Sequence, residues 1–243
     1  MNFKYCSIIL VHYALVDDHG GKYALKEKRT RSEMLREVMD SIEKNTDYPA
    51  ELIVYDNGGE PDDSNYLLDL TRKGVINIYV RYKNNMHWAW AFNEGSKIST
   101  GDYLCFTCND VVMKPKWLSI CIAMLEKYPD RKFVASPFHI SHKQSKYDRG
   151  TLDKNRLNSM AGSNCMIMSR ETFKKLGNFG VFSVSGTYWF RKKAKMGYTT
   201  IMPPKDLADH IGFAGGLDWR SKTRIKKTLL NNQEIDFTER APL

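Results

Sequence analysis

The sequence has no apolar run of the roughly 20 residues that a membrane-spanning helix needs. Its 243 residues include 42% hydrophobic and 12% aromatic side chains, a composition that excludes a disordered chain. This length suits one sizeable core and is too short for two full enzyme domains. We therefore predict one domain over residues 1–217, a basic tail over residues 218–243, and a cytoplasmic location.

Cysteines are few, and their number, five, is odd. They lie in segments with the pattern of buried strands or helices, so we expect reduced core thiols. Cys105 and Cys108 have the C-x-x-C spacing of zinc and redox sites, but no second pair exists to complete four zinc ligands. The first predicted strand is not followed by a G-x-G-x-x-G sequence, which argues against a dinucleotide-dependent dehydrogenase.

Positive charge is what the chain has in excess. It carries 37 Lys and Arg against 28 Asp and Glu, which gives a net charge of +9. A basic chain favours polyanionic partners. Charge alone leaves three classes of partner open: nucleotide diphosphates, an anionic lipid surface and nucleic acid.

Short apolar strands alternate with amphipathic helices through the first half of the chain. Thr30 and Glu33 have the spacing of a capping box, which predicts that the first helix begins there. The alternation predicts crossover connections, a mostly parallel sheet and an α/β fold. Ligands bind such sheets at the carboxyl ends of the strands, and Asp56 and Asp110 directly follow two of these ends. Strands are predicted at residues 6–11, 52–55, 76–82, 103–106 and 133–136, further helices at 66–70, 88–99, 117–128 and 170–176, and loops at 14–29 and 139–158.

Several segments in this order resemble the family-2 glycosyltransferases of the GT-A fold, and residues 84–118 and 185–198 also resemble viral members. The resemblance implies an α/β fold of the GT-A, Rossmann-like kind: a three-layer sandwich with a mostly parallel central sheet. The segments that carry it are 7–13 (SIILVHY), 52–58 (LIVYDNG), 84–95 (NNMHWAWAFNEG), 101–110 (GDYLCFTCND), 161–168 (AGSNCMIM) and 203–210 (PPKDLADH).

The resemblance implies transfer of a hexose or similar sugar from a nucleotide-sugar, with a UDP-sugar favoured, to an acceptor hydroxyl. A bound Mn²⁺ or Mg²⁺ would assist the transfer. Two acceptor classes remain open: a polysaccharide or lipid-linked glycan, and hydroxymethylated DNA, which the basic tail also suits. A viral member would act in the host cytoplasm. The alternative hypothesis is a non-catalytic nucleotide- or nucleic-acid-binding protein on the same scaffold.

The resemblance also assigns the binding residues. Asp110 and His210 are the implied metal ligands. The reaction needs a divalent ion because the charge of the departing diphosphate must be neutralised. Asn109 stands where an acid is common in the family, and an amide coordinates a cation more weakly than a carboxylate. The implied nucleotide-binding residues are Val11, His12, Tyr13, Asp56, Asn57, Arg81, His87, Asn93, Asn109 and Asp110.

The catalytic base is the least defined part of the predicted site. An inverting transfer needs a carboxylate that takes the proton of the acceptor hydroxyl. Relatives carry this acid in an acidic pair ahead of a Gly-Tyr sequence, but counting back from Gly197 and Tyr198 reaches 185–186, a Ser-Gly pair. Asp206 and Asp209 are the candidate bases that remain.

Overall fold

A computed structural model describes residues 4–12, 30–138, 148–159, 164–180 and 187–212. In this part of the chain eleven strands form a nine-stranded sheet and a two-stranded ribbon. The sheet has the order β3-β2-β1-β4-β9-β6-β10-β8-β7, and β11 pairs with β5 in the ribbon. The strands are β1 (Cys6–His12), β2 (Ala50–Asn57), β3 (Ile78–Tyr82), β4 (Tyr103–Cys108), β5 (Val111–Met113), β6 (Phe133–Ala135), β7 (Asp148–Leu152), β8 (Asn155–Asn158), β9 (Cys165–Ser169), β10 (Thr199–Met202) and β11 (Ala208–His210).

Helices cover both faces of the sheet. The capping box predicted at Thr30 and Glu33 is present and begins the first helix. None of the described helices is both long and apolar enough to cross a membrane. The helices are α1 (Arg31–Asn45), α2 (Pro61–Arg72), α3 (Trp88–Ile98), α4 (Trp117–Lys127), α5 (Arg170–Leu176) and α6 (Thr187–Lys195).

The four strands β3, β2, β1 and β4 are parallel, and β1 lies at their centre. Every residue of β1 is buried, because helices cover it on both sides. One apolar layer joins the sheet to α1, α2 and α4. A second layer joins it to α3, α5 and α6, with Phe92, Phe106, Phe179 and Trp189 in contact. This confirms the predicted α/β class, in which a mostly parallel sheet lies between two layers of helices.

The five cysteines are free, and four of them are buried. Cys105 and Cys165 lie on neighbouring strands with their sulfur atoms 3.9 Å apart. Burial raises the pKa of the Cys105 thiol well above its usual value. Four of the five cysteines therefore pack as reduced thiols in the core, as the sequence predicts.

The predicted loop at 139–158 is wrong over its second part, where β7 and β8 form a hairpin. Asp153 and Lys154 both have positive φ, 47° and 69°, which is the geometry of a two-residue turn that joins antiparallel strands. The hairpin was not predicted because its strands are polar and lack the apolar pattern on which the strand predictions rest. Helix α6 and strand β5 were also not predicted. The loop predicted at 14–29 and the tail at 218–243 lie outside the described residues, so the division at residue 217 stays a prediction.

Candidate functional site

The carboxyl ends of three parallel strands place polar side chains next to one another. His12 at the end of β1 pairs in register with Asp56 on β2, and Val11 pairs with Cys108 at the end of β4. Val11 itself is buried in the sheet. Asn109 follows Cys108 directly. This edge is where ligands bind parallel α/β sheets.

The ribbon of β5 and β11 brings Asp110 and His210 together across 100 residues of sequence. The His210 Nε2 atom lies 3.2 Å from Asp110 Oδ2. The backbone oxygen of Asp110 also accepts a hydrogen bond from the Ile211 N–H at 2.9 Å. The pair that the sequence assigns to a metal ion is therefore in direct contact.

The second carboxylate oxygen of Asp110, Oδ1, is buried and has no hydrogen-bond partner within the described residues. A buried carboxylate oxygen without a donor is costly, so this atom calls for a cation or a donor from a ligand. Asn164 adds an amide nitrogen 2.6 Å from His210 Nε2, and the Phe138 ring stacks on the His210 ring at 6.4 Å. The carboxylate of Asp110 and the imidazole of His210 are donors that fit a divalent ion.

Few protein groups surround this ion position. No group of three or more His, Cys, Asp or Glu side chains suited to a metal is found in the described ranges. A sparse set of ligands leaves coordination positions for phosphate oxygens and water, as Mg²⁺ and Mn²⁺ sites at nucleotides require. Gly212 also packs so closely on the Asp110 carboxylate that a Cβ atom at residue 212 would overlap it.

Next to Asp110, Asn109 is the end of a buried chain of side chains. Its Nδ2 atom lies 2.9 Å from His12 Nδ1, and His12 Nε2 lies 3.1 Å from Asp63 Oδ2. Asp63 also accepts hydrogen bonds from Ser32 at 2.8 Å and Arg36 at 3.2 Å. Burial raises the pKa of Asp63, but the hydrogen bonds from His12 and Ser32 outweigh it and hold that pKa below its usual value.

Asp56 is fully buried and fully engaged. Its Oδ1 atom accepts the Gly59 N–H at 2.7 Å, and Oδ2 accepts the hydroxyls of Ser64 at 2.5 Å and Tyr79 at 2.8 Å. Arg81 Nε lies 3.5 Å from the same Oδ2 atom. Burial and the hydrogen bond to Asp56 raise the pKa of Tyr79 to about 12, so Tyr79 remains a donor. Asp56 thus holds the start of α2 against β3.

Asn57 and His87 build the loop before α3. Asn57 donates to Asn85 Oδ1 at 2.7 Å and accepts the Met86 N–H at 2.8 Å. His87 caps α3, because its Nδ1 accepts the Ala89 N–H at 3.2 Å. Burial lowers the pKa of His87 to about 4, so its ring is neutral near pH 7 and offers no positive charge to phosphate.

The remaining predicted nucleotide-binding residues have separate surroundings. Both amide atoms of Asn93 bond the backbone of Phe179, at 3.0 Å and 2.9 Å, and tie α3 to the segment after α5. The Arg81 side chain is 48% exposed, which leaves it free to reach a ligand. Tyr13 lies outside the described residues, and so do residues 185 and 186.

The two candidate bases both form ion pairs. Asp206 Oδ1 lies 2.5 Å from Arg156 Nη2, and Asp209 Oδ1 lies 2.7 Å from Lys114 Nζ. Asp209 precedes His210 in β11, and successive side chains of a strand point to opposite faces. Asp209 therefore faces away from the Asp110 and His210 pair.

Sequence reasoning did not single out Asn164, Asp63 or Phe138. Asn164 lies within the segment 161–168 that carries the family resemblance, and this was a signal for it. Asp63 stands in the first turn of α2, where an acid is ordinary helix chemistry. Only the folded geometry shows that Asp63 contacts His12.

Comparisons with known proteins bear on the family and the fold. The sequence profile of Glycosyl transferase family 2 matches residues 28–196. A search of curated proteins finds no match to the sequence.

Three solved structures share the fold at low identity. They are a mannosyltransferase from Pyrobaculum calidifontis with GDP-Man and Mn²⁺ (TM-score 0.63, 17% identity, 93% of this chain and 62% of that chain), GalNAc-T7 with UDP, GalNAc and Mn²⁺ (TM-score 0.59, 16% identity, 84% and 43%), and residues 1–349 of TarS from S. aureus (TM-score 0.59, 13% identity, 85% and 60%). This chain thus spans less than two thirds of each of them. The shared architecture confirms the predicted GT-A fold.

The family profile covers more than half of the chain, and it begins ahead of α1 and ends after α6. It therefore includes the carboxyl ends of β2 and β4, Asp110 and the segment 161–168, whereas His12 and His210 lie outside the matched residues. Together with the GT-A architecture, this match confirms the resemblance seen in the sequence: the chain belongs to Glycosyl transferase family 2.

Proposed function

We propose that this protein transfers a sugar from a nucleotide-sugar, with a UDP-sugar favoured, to an acceptor hydroxyl with the help of Mn²⁺ or Mg²⁺. The observation that carries the proposal is Asp110 Oδ1, a buried carboxylate oxygen that has no partner in the described part of the chain and lies beside His210. The sheet edge at which it lies is the ligand-binding edge of this fold. Two of the similar structures contain Mn²⁺ with a nucleotide or nucleotide-sugar, which supports the same assignment.

Asp110 and His210 would hold the ion, and the Asn164 side chain lies within hydrogen-bond distance of His210 Nε2 at the same corner. When bound, the ion neutralises the diphosphate as it leaves. The protein residues hold this corner in place: the Asp110 backbone is fixed to Ile211, and Phe138 packs on the His210 ring. Arg81 is partly exposed and lies 3.5 Å from Asp56, and we assign it to the nucleotide.

The proposal also includes the class of nucleotide and the class of acceptor. The similar structures contain UDP in one case and GDP-Man in another, so both classes belong in the first experiments. For the acceptor we favour a hydroxyl of a polysaccharide or lipid-linked glycan, with hydroxymethylated DNA as the competing class. DNA binding that weakens steeply with salt would favour the second class.

A carboxylate must accept the proton of the acceptor hydroxyl if the transfer inverts configuration. Because Asp209 faces away from His210, Asp206 is the stronger of the two candidates. Both are engaged by basic side chains, and this observation favours the competing proposal of a nucleotide-binding protein without turnover.

The proposal is tested by incubating the full chain with a panel of UDP-, GDP- and other nucleotide-sugars, with Mn²⁺, Mg²⁺ or EDTA, and measuring nucleotide release. We expect release that depends on the metal and is lost in Asp110→Asn. The control is Asp130→Asn, an exposed carboxylate in the turn before β6 at the opposite edge. Metal-dependent nucleotide binding without release across the panel would favour the non-catalytic protein. Neither binding nor release would refute both proposals.

A further inference from the structure

Four side chains form a chain through the interior that ends beside the metal corner. We infer that Arg36, Asp63 and His12 position Asn109, and through Asn109 the carboxylate of Asp110. We call Arg36, Asp63, His12 and Asn109 the histidine chain. Only the part of the inference that concerns metal binding rests on the proposed function. It explains why an amide stands at residue 109, where the family commonly has an acid.

The hydrogen-bond partners determine which ring nitrogen of His12 carries a proton. A carboxylate only accepts, so His12 Nε2, 3.1 Å from Asp63 Oδ2, must donate. The Asn109 amide nitrogen donates, so His12 Nδ1, at 2.9 Å, must accept. An Asp at residue 109 would place an acceptor against this lone pair. The donor at residue 109 is therefore part of the arrangement.

The charge of Asp63 is balanced from the side away from His12. Arg36 Nη1 lies 3.2 Å from Asp63 Oδ1 and reaches it from α1, with its own side chain 42% exposed. Ser32 donates a further hydrogen bond to Asp63 at 2.8 Å. The carboxylate consequently has an ionic partner besides His12, and His12 links Asp63 to Asn109 through its two ring nitrogens.

His12 is closed off from the ligand side. Its side chain is fully buried, and Gly59 packs on it so closely that a Cβ atom at residue 59 would lie 2.8 Å from His12 Nε2. The ring thus fills the space between Gly59, Asp63 and Asn109. In this arrangement His12 acts on the site through Asn109, as a positioning residue, and makes no contact with the nucleotide.

The histidine chain fixes one side of the turn that carries Asp110. Asn109 and Asp110 lie between β4 and β5, and the other side of the turn is fixed by the hydrogen bond between Ile211 and the Asp110 backbone. Without Asn109 the turn loses its contact with His12. Loss of an outer partner of a metal ligand typically weakens metal binding about 10–100-fold.

The first test reads the protonation of His12 directly, by ¹⁵N NMR of the metal-free full chain, with the signals assigned by comparison with His12→Gln. We expect a pyrrole-like Nε2 and a pyridine-like Nδ1. Asn109→Asp keeps the shape but replaces the donor by an acceptor, so Nδ1 should become pyrrole-like. The opposite tautomer in the unaltered protein, or an Nδ1 signal that does not respond to Asn109→Asp, would overturn the inference.

The second test measures Mn²⁺ affinity in the presence of UDP or GDP, whichever binds. Asn109→Ala and His12→Gln should weaken Mn²⁺ binding by about tenfold or more, although Asp110 and His210 are intact. The control is Ser7→Ala, which removes a buried hydrogen-bonding side chain from the same strand at the opposite edge. Equal Mn²⁺ affinity in all variants would refute the positioning role. If the unaltered protein binds no Mn²⁺, the proposed function fails, and the NMR measurement still decides whether the histidine chain exists.

Discussion

Asp56 and Asp110 follow neighbouring strand ends at one edge of one sheet, but their surroundings differ. Asp56 is fully buried and accepts hydrogen bonds from three donors, with Arg81 as an additional ionic partner. Asp110 keeps one buried oxygen for which the described residues supply no donor. A carboxylate that the fold satisfies stabilises the scaffold, whereas one that the fold leaves unsatisfied is available to a ligand. The difference predicts a structural role for Asp56 and a ligand-binding role for Asp110.

The largest expected effect follows from removing the charge of Asp110. Asp110→Asn should lower the rate of nucleotide release by about 10²-fold or more, because the proposed metal ion loses its carboxylate ligand. The free energy of unfolding should change by less than about 1 kcal/mol, since Asn keeps the shape of the side chain and Oδ1 has no donor within the described residues to lose. Kinetic assays and urea denaturation measure the two quantities. If Asp110→Asn keeps most of its activity, Asp110 does not have the ligand-binding role that distinguishes it from Asp56.

Asp56→Ala should show the reverse pattern, with stability as its main loss. The hydroxyls of Ser64 and Tyr79 and the Gly59 N–H would lose their acceptor inside the protein. We expect the free energy of unfolding to fall by about 3 kcal/mol. Urea denaturation measures this, with Asp56→Asn as the variant that keeps one acceptor oxygen and loses less. A decrease below about 1 kcal/mol would show that Asp56 is not a structural carboxylate.

His87 extends the comparison to pH. Burial lowers its pKa from 6.5 to about 4 in the folded protein, so between these values the unfolded chain binds more protons. Stability that is present above pH 6.5 is therefore lost as the pH falls towards 4, and the loss is about 2 kcal/mol at pH 5.

His87→Asn removes the titrating group but keeps a side chain that can cap α3 and tolerate the positive φ of 76°. The difference in unfolding free energy between pH 7 and pH 5 should be smaller in this variant by about 2 kcal/mol. Urea denaturation at the two pH values gives this number. An identical pH dependence in both proteins would show that His87 is not a buried neutral cap.

The smallest effect is expected at Asp209, the residue beside His210. Its side chain is 58% exposed, pairs with Lys114 and lies on the other face of β11. Asp209→Asn should change the rate of nucleotide release by less than about threefold. A loss of about 10²-fold or more would instead identify Asp209 as the base. Asp206→Asn, measured alongside, shows whether the other candidate takes that role.

The sequence predicts the parallel half of the fold well and the rest less well. β1, β2 and β4 contain apolar runs, and turn residues follow the runs of β2 and β4, so the positions of Asp56 and Asp110 are visible in the sequence. The β7–β8 hairpin is polar, and β5 and β11 have only three residues each, too short for any period to show.

The site follows the same division. The resemblance assigns Asp110 and His210 to one metal ion, and the ribbon of β5 and β11 brings the two side chains into contact. The surroundings of His12, His87 and Asn93 were not predictable, because a sequence does not show whether a polar side chain faces a ligand or a backbone group. The folded protein uses these residues for internal hydrogen bonds.

The most direct test of the account is a titration of Mn²⁺ into the unaltered protein and into Asp110→Asn, with and without UDP or GDP. We predict one Mn²⁺ site that strengthens with nucleotide and weakens by about 10²-fold or more in the variant, while both proteins unfold at similar urea concentrations. Equal Mn²⁺ affinity in the two proteins would contradict the assignment of Asp110 as the metal ligand.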